Sequence, residues 1–204
     1  GRSWPGGGGT QTAALMGGGD APGAGQGTGN TEEYNGSSWT EGPNMNTARF
    51  KNGLCGVQTA AVSGPGNTNG AGTTQTEEYD GSTWSNVGNA NGGRNEAHGF
   101  GTQTAACIVG GADPIYNSFV EEYNRSTWAE VENCNTGVSG GMTAGSQTAG
   151  LKMSGGASGG TTVNTEEYDG TDWTEAGEAS TARATGSGAG IQTAAMMIGG
   201  NIGP

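Results

Sequence analysis

The chain has 204 residues, 45 of them glycine and 6 proline; 30% are hydrophobic and 13% charged. That composition excludes an ordinary helical bundle and, taken alone, suits a disordered chain, because so few large apolar side chains rarely offset the entropy of ordering. The net charge is −12, from 19 acids against 7 bases. Such a surface repels phosphate backbones and makes nucleic acid a poor partner, and no apolar stretch approaches the roughly 18 residues of a membrane-spanning helix.

Disorder is excluded by a repeat, which is read here from the first copy onward. Arg2 opens it. Nine residues later Gln11 begins a Gln-Thr-Ala-Ala block, after which Ala13, Leu15 and Gly17 alternate with more polar positions. Alternation of period two with an apolar face predicts a strand, and the position between, Met16, reads as permissive. A Gly-Gly pair at Gly18 and Gly19 and a polar loop follow. Glu32-Glu33-Tyr34, then Asn35-Gly36, then Trp39 read as a β-hairpin, because Asn-Gly favours the two-residue turn with positive φ. With Asn35 and Gly36 as the loop, Tyr34 is expected opposite Ser37 and Glu32 opposite Trp39. Glu32, Tyr34 and Trp39 then share one face and Glu33 takes the other.

The pattern recurs about every 45 residues, the signature of a stacked-repeat architecture. The glutamine returns at Gln58, Gln103, Gln147 and Gln192, the arginine at Arg49, Arg94 and Arg183, the tyrosine at Tyr79, Tyr123 and Tyr168, and the tryptophan at Trp84, Trp128 and Trp173. Val138 stands at the fourth arginine position. Length differences between copies all fall between the glycine pair and Glu-Glu-Tyr, which places one tolerant loop per repeat on one side of the assembly. One domain over 1–204 is expected, with repeats at about 2–48, 49–93, 94–137 and 138–182 and a partial one at 183–204.

Tyrosine and tryptophan supply most of the large apolar area in each repeat. They are expected to wedge between neighbouring sheets, a burial of roughly 1.5–3 kcal/mol per ring. The recurring Arg2, Arg49, Arg94 and Arg183 are expected to pair with Glu32, Glu77 or Glu166. At Val138 the network should break, rewiring Glu121 or its partner. Cys55, Cys107 and Cys134 fall at different places in the repeat, so they read as small buried thiols without a disulfide framework. His98 reads as a lone turn residue. Asp20, Asp113, Asp169 and Asp172 match no calcium-loop spacing, and no metal or other cofactor is expected. The third repeat departs most in its loop. Ala112-Asp113-Pro114-Ile115-Tyr116-Asn117-Ser118-Phe119 stands where the others carry Gly, Thr, Ser and Asn. Asp113, Ile115, Tyr116 and Phe119 are the candidate partner-binding residues, since exposed aromatics on a polar surface mark docking sites.

Taken together, Ala48-Arg49, a strand pair ending at Pro65-Gly66, Glu78-Tyr79-Asp80 and Trp84 resemble the kelch repeat. The compact QTAA and TEEYDGSTW form looks like the kelch-like repeats in predicted proteins of bacteriophages, particularly marine ones. The resemblance implies an all-β fold, a kelch-like β-propeller with one four-stranded blade per repeat. Five blades with an incomplete last blade are expected, or else a fragment of a larger propeller. Kelch-type copper oxidases need two histidines, and this chain has one; sialidases need an arginine cluster, and only Arg125 lies outside the repeated position. No enzyme is therefore expected. The implied role is that of a structural or binding protein of an extracellular particle, a phage virion tail, fibre or surface appendage. Its partners would be other virion proteins, sister chains or a host-surface glycan, with no membrane insertion. The alternative is a secreted or cell-surface bacterial adhesin or filament subunit with the same fold.

Overall fold

The computed structural model describes residues 1–22, 25–112 and 114–202. The first repeat forms β1 (Gly6–Thr10), β2 (Ala13–Gly17), β3 (Thr31–Tyr34) and β4 (Trp39–Gly42). The second forms β5 (Leu54–Val57), β6 (Ala60–Ser63), a small hairpin of β7 (Asn67–Thr68) and β8 (Ala71–Gly72), then β9 (Glu77–Tyr79) and β10 (Trp84–Asn86). The third forms β11 (His98–Thr102), β12 (Ala105–Val109), β13 (Val120–Tyr123) and β14 (Trp128–Glu130). The fourth forms β15 (Met142–Ser146), β16 (Ala149–Ala157), β17 (Gly160–Tyr168) and β18 (Trp173–Glu175), and the fifth β19 (Ser187–Ile191) and β20 (Ala194–Ile198).

Each of the first four repeats is an antiparallel four-stranded sheet with its strands in chain order, and β19 and β20 form a two-stranded sheet. The first strands neighbour one another in succession, β1 on β5, β5 on β11, β11 on β15 and β15 on β19. They surround a central cavity of about 730 Å³. The arrangement is a β-propeller with four blades, and the fifth repeat adds an inner strand pair. A count of five blades is not reached among the described residues.

The hairpin register differs from the expected one. Tyr34 lies opposite Trp39 and Glu33 opposite Thr40, and Tyr79 opposite Trp84. The turn holds four residues rather than two. Its first residue explains this: the Asp80 carboxylate accepts hydrogen bonds from Ser82 N–H at 2.8 Å and Thr83 N–H at 2.8 Å, building the loop from its own side chain. Gly81 then sits at φ 91°, a conformation that costs a side chain about 1–2 kcal/mol. A shift of two keeps every side chain on its expected face, so Tyr34 and Trp39 still project together.

The core lies between blades. Tyr79 and Trp84 pack on Leu15 of the preceding blade, Tyr123 and Trp128 on Val62, and Tyr168 and Trp173 on Cys107 and Val109. Tyr79, Tyr123 and Tyr168 are fully buried and stacked or tilted against their own tryptophans at 4.8–5.0 Å. Because both faces of an inner blade are covered, the position expected to be permissive is not. Ser63, Ile108 and Lys152 are all buried there.

Candidate functional site

Three sets of residues bear on function: the recurring polar groups, the mouth of the central cavity, and the loop of the third repeat.

The recurring polar groups join blades. Arg2 pairs with Glu32 at 2.9 Å, Arg49 with Glu77 at 2.5 Å and Arg94 with Glu121 at 2.6 Å, each within one repeat. Burial lowers the Arg49 pKa, and the Glu77 carboxylate opposes that shift. The same carboxylate accepts from Asn46 N–H at 2.7 Å and Thr47 N–H at 2.9 Å, which fixes the linker entering the blade. Charge-assisted bonds of this kind are roughly twice as strong as neutral ones. Where Val138 replaces arginine, Glu121 is not disturbed. The acid affected is Glu166, and Lys152 from the adjacent strand supplies its cation, also donating to Thr136 O at 2.9 Å. Arg183 forms no ion pair among the described residues; its Nη1 donates to Gly199 O at 3.1 Å.

Two further contacts recur without having been foreseen. From Gln58 onward, the amide of each repeated glutamine donates to two backbone carbonyls of the preceding blade. Gln58 reaches Ala14 and Tyr34, Gln103 reaches Ala61 and Tyr79, Gln147 reaches Ala106 and Tyr123, and Gln192 reaches Gly150 and Tyr168. Each buried tyrosine hydroxyl donates to the second glutamate of the preceding blade: Tyr79 to Glu33, Tyr123 to Glu78 and Tyr168 to Glu122. Burial, and then these carboxylates, raise the tyrosine pKa values. The recurrence of Gln and of Glu-Glu in the sequence was the signal; their partners lie one repeat away and could not be read from it.

At the cavity mouth one residue per repeat adopts positive φ: Trp4, Lys51, Glu96, Gly140 and Thr185. From Lys51 onward, each backbone N–H donates to the carbonyl of the residue before it in this series, at 2.7–3.0 Å. Lys51 bridges Glu96 at 2.5 Å and lies 4.9 Å over the Trp4 ring. His98 lies on strand β11 rather than in a turn and lines the cavity. Burial lowers its pKa to about 4, against the raising effect of Glu96. Cys55, Cys107 and Cys134 are buried free thiols; burial pushes Cys55 up to about 12 and Cys134 to about 11. Thiols so protonated are not nucleophiles. Among the described residues no three of His, Cys, Asp and Glu gather as a metal would require.

The third-repeat loop follows β12. Gly110 N–H donates to Phe119 O at 2.9 Å, Asn117 N–H to Gly111 O at 3.0 Å, and Cys134 N–H to Ser118 O at 3.1 Å. This backbone frame turns side chains outward: Ile115 is 73% exposed, Tyr116 45% and Phe119 53%. Tyr116 borders a groove of about 670 Å³ with Asn95, Glu96, Pro114, Ser139 and Ser158. The loop therefore brings Ile115, Tyr116 and Phe119 to the surface, while Asp113 lies outside the described residues. Asp20 is held in a backbone bridge with Ser3, and Asp169 caps its own turn, accepting from Thr171 and Asp172 N–H.

No protein-family model matches the chain. No curated protein matches it either. Among solved structures it is similar to YjhT, a kelch-type propeller, with a TM-score of 0.82 and 15% identity, over 98% of this chain and 78% of that one. At that identity the likeness is one of fold.

Proposed function

We propose that the chain is a non-enzymatic binding module built on kelch-like repeats, which meets its partner through the loop after β12. The observation carrying this reading is the exposure of Ile115, Tyr116 and Phe119 beside a groove. Elsewhere in the complete blades most large apolar side chains lie between the sheets, and the exposed ones, Trp4, Trp39 and Val57, do not cluster in one loop. An amphipathic aromatic such as Tyr116 suits a sugar face or an apolar protein surface equally. The proposed partners are accordingly another protein of an extracellular particle, a sister chain, or a host-surface glycan. The resemblance of QTAA and TEEYDGSTW to bacteriophage kelch-like repeats supports a virion setting, in a tail, fibre or surface appendage; that warrant is one of likeness. Most of the polar groups that recur in the blades are engaged in hydrogen bonds and ion pairs within and between blades, which supports reading them as scaffold.

The test is the variant Ile115→Ser/Tyr116→Ala/Phe119→Ser. It should melt within a degree or two of the parent, since all three side chains are exposed. It should also lose retention on a glycan array or association with particle proteins, and which of the two is lost identifies the partner class. Undiminished binding by the variant would contradict the reading.

A further inference from the structure

The chain carries the Asn-Gly pairs Asn35-Gly36, Asn52-Gly53, Asn69-Gly70 and Asn91-Gly92. An asparagine can lose ammonia when the next backbone nitrogen attacks its side-chain carbonyl carbon, and a following glycine has no Cβ to crowd that nitrogen. Inside a folded chain the reaction has two requirements. The nitrogen must be free to give up its proton to water, and the carbonyl must be polarised by donors placed where negative charge develops on its oxygen.

Three of the pairs lack the first requirement. Gly70 N–H is held by Asn67 Oδ1 at 2.7 Å. Gly92 N–H donates to Glu121 Oε1 at 3.4 Å, and the same carboxylate holds Asn91 Nδ2 at 2.9 Å. Asn52 and Gly53 are buried, and Asn52 Nδ2 is tied to Ser63 Oγ at 3.0 Å. Asn35-Gly36 meets both requirements. Residues 35–38 are all exposed, and Gly36 N–H makes no hydrogen bond among the described residues. Asn35 Oδ1 accepts from Ser37 N–H at 3.0 Å, Ser38 N–H at 3.0 Å and the Ser37 hydroxyl at 2.9 Å. Three donors thus converge on one carbonyl oxygen, and they hold the side chain folded back over the turn, toward the Gly36 nitrogen. Asn35 Nδ2, the leaving group, reaches only the exposed Ser38 Oγ at 3.3 Å. Asn124 is an internal control. It accepts from Ser126 N–H at 3.0 Å and Thr127 N–H at 2.9 Å in the same turn, but Arg125 follows it in place of glycine.

We propose that Asn35 is a site of spontaneous deamidation, and that its aspartate product reproduces the turn already present in the second and fourth repeats. The Gly36 nitrogen bonds to Asn35 Cγ and loses its proton to water. The Cγ–Nδ2 bond breaks, and Nδ2 takes a proton from water and leaves as ammonia. One water molecule then adds across either imide C–N bond of the resulting five-membered ring. Cleavage at Cγ restores the main chain and leaves an aspartate; cleavage at the main-chain carbonyl leaves an isoaspartate, with one carbon more in the backbone. The aspartate keeps the acceptor role that Asp80 and Asp169 fill toward the two N–H groups ahead of them. The isoaspartate does not, because the lengthened main chain displaces those donors. Either product adds one negative charge to the exposed turn between β3 and β4.

The test is peptide mapping by mass spectrometry of the whole folded chain held at mildly alkaline pH, with the same chain in denaturant alongside. In the folded chain Asn35 is expected to convert about tenfold faster, or more, than Asn52, Asn69, Asn91 and Asn124. In denaturant the rates of the Asn-Gly pairs should converge, while Asn124 stays slow in both conditions. The variant Asn35→Asp, which carries the main-chain product from the start, should melt with the parent at neutral pH. Folded protein in which another pair converts first, or in which all the pairs convert at one rate, would overturn the proposal. So would an Asn35→Asp variant that melts well below the parent, since the product would then not reproduce the turn of the other repeats.

Discussion

Single residues in this protein act across the gap between blades, and one substitution within the repeat exposes how. Trp84 and Trp128 each donate an indole N–H to a threonine of the preceding blade. Trp173 is equally buried, yet its Nε1 has no hydrogen-bond partner. The equivalent residue of the preceding blade is Val120, which packs in the same cluster and offers no acceptor. Val120→Thr is expected to supply one. An orphaned buried donor costs about 1–3 kcal/mol, and the hydroxyl's own burial offsets part of that. The variant should therefore be about 1 kcal/mol more stable in denaturant titration; equal or lower stability would show that the indole does not lack a partner. Lys152 makes a related point. Its place on a strand reads as tolerant from the repeat alone, because the acid it serves, Glu166, belongs to a neighbouring strand in the sheet. The loss of arginine at Val138 was legible; its replacement by a lysine fourteen positions on was not, since only the pairing of strands brings the two together.

The hairpin turn is the element whose chemistry varies most between repeats while its shape does not. Asn35, Asp80, Asn124 and Asp169 all accept from the two backbone N–H groups ahead of them. An aspartate can lose this role by protonation and an asparagine cannot. Hydrogen bonds from Thr83 N–H and Ser82 hold the Asp80 carboxyl at about 2, below its ordinary 3.8, although it is fully exposed. A depressed carboxyl pKa contributes stability that is present above the unfolded value and is lost as pH falls through the folded one. The contribution of Asp80 is therefore complete above pH 4 and fades toward pH 2. In Asp80→Asn the fall in melting temperature between pH 4 and pH 2 should be shallower than in the parent; identical slopes would refute the assignment. The sequence revealed the turn and its facing, but Asn-Gly and Asp-Gly suggested two loop residues where there are four. The dipeptide preference concerns φ alone, and the Ser and Thr that follow are drawn into the loop by the side chain before them.

On the scale of the whole molecule, the period, the strand faces and the ring pairs were legible because they repeat, and repetition filters chance. The number of blades was less so. It depends on the angle between sheets, which small residues set only through close packing, such as Gly99 and Cys55 facing each other across β11 and β5. The third-repeat loop stood out by contrast with its counterparts, and the structure adds its exposure. Among the described residues the Tyr–Trp pairs of the second, third and fourth blades pack on the blade before them, whereas Trp39 in the first blade is 46% exposed. The same residue type in the same hairpin thus occurs both buried and open within one molecule.

That contrast provides the decisive measurement. The account holds that the repeated rings stabilise the molecule only by sealing one blade to the next. Alanine replacements at Trp39, Trp84, Trp128 and Trp173, compared by equilibrium unfolding, separate the two environments. Trp84→Ala, Trp128→Ala and Trp173→Ala are expected to cost about 3–5 kcal/mol each, and Trp39→Ala less than about 1 kcal/mol, as for an exposed side chain. Four equal losses, or three small ones, would mean that the rings are not the seals between blades.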